Sequence, residues 1–250
     1  MLADLVVPTG PYRLRLSARA DHWHAALPGG ETAVAWQRAD GRVAIRAGSE
    51  QGLSHARFML ALADDTTAFH RRFARDPLLG PSVRALVGFR PLRLATVAHA
   101  ALRAVAGQLV EASLARAIER AVLRTCGEHV ASQQALARLS PAELRRCGLA
   151  THRASTLVRL VRGGDLERLR AHPTPVVRAR LERERGLGPW STGVIALEGL
   201  GRFDHGVVGD LGLVKLLSSL RGRWVEAAET AELLAPYEEW QGLAGELLLL

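Results

Sequence analysis

The sequence predicts an α+β protein in which a small N-terminal antiparallel β-sheet is followed by an all-helical body. Between residues 11 and 47 apolar and polar residues alternate in short runs separated by turn signals, which is the pattern of half-buried strands. From about Leu53 the apolar residues recur at helical spacing to the end of the chain. We therefore expect a β-rich domain over residues 1–60 and a helical domain over residues 61–250.

The predicted strands are the runs YRLRLSA, AVAWQR and RVAIRA. Turn signals separate them, with Pro28-Gly29-Gly30 before the second run and Asp40-Gly41 before the third. Such short connections favour neighbouring antiparallel strands.

The charge of the chain indicates a polyanionic partner. Lys and Arg number 33 against 25 Asp and Glu, a formal net charge of +8, and the pI is near 10.9. A genome-wide compositional bias would explain the choice of Arg over Lys equally well. Several arginines cluster in the second half of the chain, each of which also fits a solvated helix face: Arg145, Arg146, Arg153, Arg159, Arg162, Arg183 and Arg185.

Cysteine count and hydropathy exclude several classes of protein. Cys126 and Cys147 are too few for a four-thiolate iron–sulfur cluster, so none is expected, and they fit buried, reduced thiols. No apolar stretch reaches the roughly 18 residues of a membrane span, and the N-terminus lacks the features of a signal peptide. We expect a cytoplasmic, nucleoid-associated protein without a membrane partner.

A tight hairpin between two helices is predicted around residue 187. Pro175 suits the first turn of a helix with Thr174 as its N-cap, and Gly186 suits the left-handed conformation that ends it. Gly188 gives the chain room to turn, and Pro189 begins the next helix. The free N–H groups there favour an anion such as a phosphate. A plain αα-corner capped by glycine is the alternative.

Asp210 is the residue best placed for chemistry. A helix over Trp190–Gly199 and a loop over residues 201–209 deliver it to the start of another helix, whose apolar residues are Leu211, Leu213, Leu216 and Leu217. Its structural role would be an N-cap. That role is compatible with catalysis, because N–H groups and the helix dipole favour the ionised carboxylate that a developing cationic sugar needs opposite it.

These segments resemble the helix-hairpin-helix DNA glycosylases, in particular the bacterial 3-methyladenine DNA glycosylase II type. The hairpin GLGPWST and Asp210, twenty positions after Trp190, are similar to the family's hairpin and catalytic aspartate. The stretch AVAGQLV at residues 104–110 is similar to the family's wedge segment. The capping box Ser140-Pro141-Ala142-Glu143, in a helix that Gly148 ends, fits the helices before the hairpin.

The resemblance implies a monomeric enzyme of base excision repair. It would bind double-stranded DNA, flip a damaged base, an alkylated purine, and hydrolyse its N-glycosidic bond, with Asp210 as the catalytic group. Trp190, Val194 and Leu211 would line the base pocket. Residues implied in DNA binding are Leu109 as the wedge, Gln108, Gly186, Gly188, Ser191 and Thr192.

Two further properties follow from the resemblance. Relatives that also cleave the DNA backbone carry a lysine where this chain has Trp190, and its only lysine is Lys215, so lyase activity is not expected. The family's Na⁺ or K⁺ ion would be held by the backbone carbonyls of Glu182, Glu184 and Leu187; no other cofactor is required.

The chain departs from the family in the lining of the pocket. Relatives use several aromatic residues there, whereas only 5% of this chain is aromatic. Val194 and Leu211 are aliphatic, Val207 replaces the usual proline, and Trp23 or Trp36 would have to reach in from the sheet. A DNA- or damage-binding protein with little turnover is therefore the alternative function.

Overall fold

The computed structural model describes all 250 residues and confirms the α+β class. Its four strands form one antiparallel sheet in the order β1-β4-β3-β2. The strands are β1 Leu2–Val6, β2 His22–Ala26, β3 Thr32–Gln37 and β4 Val43–Ala47. The predicted turns at Pro28-Gly29-Gly30 and Asp40-Gly41 connect β2 to β3 and β3 to β4.

The prediction of a strand at YRLRLSA was wrong. Leu14–Ala18 is a short helix, α1, and the first strand lies earlier, at Leu2–Val6. Strand β1 pairs with β4 at one side of the sheet. Leu14 and Ser17 are buried one helical turn apart, and Gln37 accepts a hydrogen bond from the Leu14 amide at 2.9 Å. The run YRLRLSA thus alternates in sequence, but its buried residues are at helical spacing and its Leu14 amide bonds to a side chain instead of a strand.

Thirteen further helices follow β4 in the chain. They are α2 Glu50–Met59, α3 Thr67–Phe73, α4 Gly80–Ala85, α5 Val97–Gly107, α6 Ala112–Cys126, α7 Gln133–Arg138, α8 Pro141–Arg146, α9 Thr151–Arg162, α10 Thr174–Glu182, α11 Pro189–Val194, α12 Leu211–Arg221, α13 Thr230–Leu234 and α14 Gln241–Leu248. Short 3₁₀ turns connect some of them. None of the helices combines the length and apolarity needed to cross a bilayer.

The two largest apolar cores lie against the sheet and around α5. In the smaller one, sheet residues such as Trp23, Ala35 and Ile45 pack against Leu53 and Leu60. The larger one surrounds α5, whose residues from Val97 to Leu102 are all buried, and it includes side chains of α6, α9 and α11. Helix α5 is therefore the central helix of the body, and it ends at Gly107, next to the predicted wedge segment.

A buried arginine joins the sheet region to the helical body. Arg90 is fully buried, and its guanidinium donates to the backbone carbonyls of Thr9, Pro11 and Ala61. The ring of Tyr12 lies 4.9 Å from the guanidinium carbon. Such multiple bonding compensates the cost of burying the charge and fixes the N-terminal segment on the body.

Candidate active site

The predicted hairpin is present between α10 and α11. Gly186 has a φ of +99°, and a Cβ atom at this position would clash with the Thr156 hydroxyl of α9. Pro189 occupies the first turn of α11, as predicted. The predicted N-cap at Thr174 was wrong: α10 begins at Thr174 itself, because Pro173 is the extended residue before it, and the Thr174 hydroxyl donates to Asp204 at 2.8 Å instead.

Several backbone N–H groups of the hairpin have no hydrogen-bond partner within the protein. The amides of Gly186, Gly188 and Trp190 form no hydrogen bond within the protein. Gly186 and Gly188 are exposed, and the Trp190 amide belongs to the first turn of α11. This arrangement offers several donors and the positive end of a helix dipole to an anion.

Helix α11 continues beyond Val194 as a π-helical turn over Ile195–Gly199. The amide of Leu200 donates to the carbonyl of Ile195, five residues earlier, at 3.0 Å. Trp190, Val194 and Glu198 follow one another at four-residue spacing along this continuous element, and all three line one cleft. The widened turn is typical of functional sites.

Asp210 is the N-cap of α12, as predicted. Its Oδ1 accepts the amide N–H of Gly212 at 2.8 Å, and its Oδ2 accepts the indole N–H of Trp190 at 3.0 Å. The Asp210 amide donates to the carbonyl of Val207. Both carboxylate oxygens are thus oriented by donors from two different helices, which fixes the position of the negative charge.

A cleft of about 650 Å³ opens beside Asp210. It lies between α5, α6, the α11 element and the start of α12. The three predicted pocket residues, Trp190, Val194 and Leu211, line it together with Asp210. Sequence reasoning missed the other lining residues, which are Arg103, Gly107, Val110, Glu111, Ala112, Ala115, Arg116, Glu119, Arg120 and Glu198.

An ionic network forms one side of the cleft. Arg103 donates to Glu198 Oε2 at 2.6 Å and to both oxygens of Glu119, at 2.9 and 3.1 Å. The Nε2 atom of His99 lies 2.8 Å from Glu119 Oε1. Burial opposes ionisation of Glu119, but the hydrogen bonds from His99 and Arg103 outweigh it and lower its pKa to about 2. Helical spacing from Trp190 and from Gly107 would have placed Glu198 and Arg103 on the faces that line the cleft.

Trp190 is the only aromatic side chain that lines this cleft. Trp23 is buried in the core of the sheet. The ring of Trp36 on β3 is in contact with the guanidinium of Arg46 on β4, so neither tryptophan reaches the cleft. Gly107 packs against the Trp190 ring so closely that a Cβ atom there would lie 2.8 Å from its Cη2. The indole is therefore held between α5 and Asp210.

The wedge segment follows α5 directly. Leu109 is 99% exposed and has a φ of +52°, so it is not a core leucine. A left-handed conformation is unfavourable for a non-glycine residue, and such strain occurs mainly at functional sites. The neighbouring Gln108 donates to the Gly186 carbonyl at 2.7 Å and to the Ser191 hydroxyl at 2.9 Å, which ties the wedge to the hairpin.

The remaining predicted residues have the following positions. Ser191 and Thr192 are buried; the Ser191 hydroxyl accepts from Gln108, and the Thr192 hydroxyl donates to the Gly188 carbonyl at 3.1 Å. The Glu184 carbonyl accepts the amide N–H of Leu187 at 3.0 Å. Lys215 is exposed on α12 and is not part of the cleft lining.

Unpaired arginines lie on the hairpin and on α6. Arg183 and Arg185 are exposed in the hairpin, and Arg116 and Arg120 are exposed beside the cleft. None of the four forms an ion pair, whereas Arg159 is paired with Glu184. Exposed guanidinium groups without a carboxylate partner are suited to phosphate contacts.

Comparison with known proteins points in the same direction. No protein-family model matches the chain. A DNA-3-methyladenine glycosylase of Bacillus subtilis (strain 168) is 25% identical over 201 residues, which cover 73% of this chain and 66%, just under two thirds, of that protein.

Two solved structures share the fold over nearly the whole chain. A 3-methyladenine DNA glycosylase from Archaeoglobus fulgidus matches with a TM-score of 0.84 and 17% identity, covering 98% of this chain and 97% of its own. An 8-oxoguanine glycosylase/lyase from Clostridium acetobutylicum, bound to double-stranded DNA, matches with a TM-score of 0.76 and 16% identity, covering 100% and 96%. In its hairpin, in Asp210 at the start of α12 and in its fold, the chain is thus similar to known DNA glycosylases.

Proposed function

We propose that this protein is a monofunctional DNA glycosylase that extrudes alkylated purines from double-stranded DNA and hydrolyses their N-glycosidic bonds. The observation that carries the proposal is the position of Asp210. Its carboxylate is held by two donors beside a cleft large enough for a base, within one fold that also presents the anion-binding hairpin. The cleft volume of about 650 Å³ is within the range of small-molecule sites.

Asp210 supplies the negative charge for the reaction. As the bond between sugar and base breaks, positive charge develops on the sugar, and a fixed carboxylate stabilises it without reorganising. Water is the nucleophile, and the same carboxylate orients and deprotonates it. Trp190 provides the one stacking surface for the extruded base, because its ring lines the cleft directly beside Asp210.

Leu109 holds the DNA open. Extrusion of a base costs a few kcal/mol of stacking and pairing, and an apolar side chain that fills the vacated space offsets part of this. The exposure and left-handed backbone of Leu109 support this role. The free amides of the hairpin and the unpaired arginines bind the phosphates on either side.

The absence of lyase activity is part of the proposal. The relative from C. acetobutylicum is a glycosylase/lyase, so the fold is compatible with both reactions. Here Trp190 stands where the lyases of the family carry their lysine, and the only lysine, Lys215, lies outside the cleft. The lack of a lysine in the cleft and the similarity to the DNA-3-methyladenine glycosylase of B. subtilis support an enzyme of the 3-methyladenine DNA glycosylase II type. We propose that it acts as a monomer.

The hairpin also has the chemistry for a Na⁺ or K⁺ ion. Carbonyl oxygens are suitable ligands for such hard cations; Glu182 is the last residue of α10, and Glu184 and Leu187 follow it in the hairpin turn. The Glu184 carbonyl already accepts one hydrogen bond, which leaves its second lone pair for an ion. A bound cation would stiffen the turn whose amides contact the phosphate.

Release of bases from alkylated duplex DNA by the purified protein tests the proposal. We expect release of 3-methyladenine and 7-methylguanine in single-turnover assays, with an intact abasic strand as the product. The alternative is a damage-binding protein with little turnover, which the single aromatic residue in the cleft favours. Tight binding to the alkylated duplex without base release would establish that alternative.

A further inference from the structure

The ionic side of the cleft contains a carboxylate oxygen with no partner in the protein. Glu198 Oε2 accepts from Arg103 at 2.6 Å, whereas Oε1 forms no hydrogen bond. The Glu198 side chain is 24% exposed and lines the cleft on the same helical face as Trp190 and Val194. A base stacked on Trp190 therefore has an ionic hydrogen-bond acceptor on the same wall.

The position of Glu198 is fixed from behind. Arg103 forms three hydrogen bonds to Glu119 and Glu198, and Glu119 is itself bonded to His99. Burial disfavours the charge on Arg103, but the two carboxylates outweigh this and raise its pKa. Glu198 is thus anchored through one oxygen, and its rotation away from the cleft would break a charge-assisted hydrogen bond.

Negative charge exceeds positive charge in this part of the cleft. Asp210, Glu119 and Glu198 are three carboxylates, and Arg103 is the one guanidinium bonded within the group. Arg116 and Arg120, which also line the cleft, are solvent-exposed on α6 and form no ion pair with these carboxylates. The excess charge favours a cationic occupant over a neutral one of the same shape.

We propose that Glu198 determines base specificity: its free oxygen accepts an N–H group of the extruded base, and its charge selects purines made cationic by alkylation. This inference rests on the proposed function of the cleft. A role of this kind for Glu198 explains how a cleft with a single aromatic residue discriminates alkylated from unmodified purines, because an ionic hydrogen bond replaces stacking on a second ring.

Two matched duplexes test the proposal by equilibrium binding. One contains 2′-fluoro-7-methyldeoxyguanosine and the other 2′-fluorodeoxyguanosine, each paired with cytosine; fluorine at the sugar retards cleavage, and the bases differ only by the methyl group and its charge. We expect the wild type to bind the methylated duplex more tightly. Glu198→Gln should reduce this preference about tenfold, since it exchanges an ionic acceptor for a neutral one of equal size. The exposed Glu50→Gln on α2 should leave the preference unchanged.

An unchanged preference in Glu198→Gln would overturn the inference. If both duplexes also lose affinity by the same factor, the role of Glu198 is purely structural. Release of 7-methylguanine from the unfluorinated duplex is measured in parallel. Release by the wild type with an unchanged preference refutes only the role of Glu198, whereas selective binding without release refutes only the proposed activity.

Discussion

The indole Nε1 of Trp190 donates a hydrogen bond to Oδ2 of Asp210 at 3.0 Å, joining the second helix of the hairpin to the N-cap of α12. Oδ1 of the same carboxylate is occupied by the Gly212 amide at 2.8 Å. These hydrogen bonds therefore fix the aromatic surface of the site relative to its negative charge. A change in either residue should alter the chemistry of the other.

Trp190→Phe should slow base release about tenfold or more. Phenylalanine keeps an aromatic face but loses the N–H donor, and a hydrogen bond to a charged group contributes roughly 1.5–3 kcal/mol. Single-turnover rates on an alkylated duplex measure the effect, and affinity for an abasic-site duplex should stay nearly constant. Trp224→Phe, beyond the other end of α12, is the matched control. A wild-type rate in Trp190→Phe would show that the indole N–H does not position Asp210.

Leu109→Ala should weaken binding to an abasic-site duplex and slow excision, without loss of thermal stability. The side chain is almost fully exposed, so its truncation leaves no cavity. Non-specific binding and its salt dependence should stay unchanged, because no phosphate contact is removed. Leu109→Gly should show the same functional loss together with equal or higher stability, since glycine accepts the φ of +52° without strain. Wild-type activity in both variants would exclude Leu109 as the wedge.

Borohydride should not trap a covalent adduct between the protein and DNA during turnover. A trapped adduct requires a Schiff base with an amine, and the cleft contains no lysine. Denaturing gel electrophoresis after reduction measures trapping, with a lysine-dependent glycosylase/lyase as the positive control. Efficient trapping that disappears in Lys215→Ala would instead assign lyase chemistry to this protein.

Glu246 on α14 should make the protein less stable at alkaline pH. Its burial, together with the nearby charges of Glu198 and Asp210, raises its pKa from 4.5 to about 7. The folded state then binds this proton more tightly than the unfolded chain, so stability falls as the pH rises from about 4.5 to 7. The loss amounts to at most about 3 kcal/mol.

Glu246→Gln should therefore raise the free energy of unfolding at pH 8 relative to the wild type, with a much smaller difference at pH 5. Denaturant unfolding at the two pH values measures this. Glu50→Gln, an exposed residue on α2, should show no such pH dependence. An identical pH dependence of the wild type and Glu246→Gln would contradict the buried state of this carboxyl group.

Local signals in the sequence predicted the parts of the site that the backbone forms. Gly186, Pro189 and the capping role of Asp210 each depend on a few neighbouring residues, and the structure places them as expected. Thr174 failed as an N-cap because its hydroxyl has a tertiary partner, Asp204, which the local pattern does not contain. The strand prediction at residues 12–18 failed for a similar reason, since the Leu14 amide has a tertiary partner, the side chain of Gln37.

The ionic side of the cleft could not be predicted from local patterns. Arg103, Glu119 and Glu198 lie on three different elements, and the third is 95 positions from the first. Helical spacing assigns each of them to a face, but only packing decides which faces meet. Local patterns do not predict the contact between Gln108 and Gly186 either, since these residues are 78 positions apart.

The central claim is that Asp210 provides the charge for hydrolysis of the glycosidic bond, and Asp210→Asn tests it most directly. Asparagine can still accept from the Gly212 amide, although it cannot then offer a second oxygen to Trp190, so we expect at most a small loss of thermal stability. Single-turnover release of 7-methylguanine should fall at least a hundredfold, in line with the usual 10²–10⁴-fold contribution of such groups, while affinity for an abasic-site duplex stays within about twofold. Retention of more than about a hundredth of the wild-type rate by a folded, DNA-binding Asp210→Asn would contradict the claim.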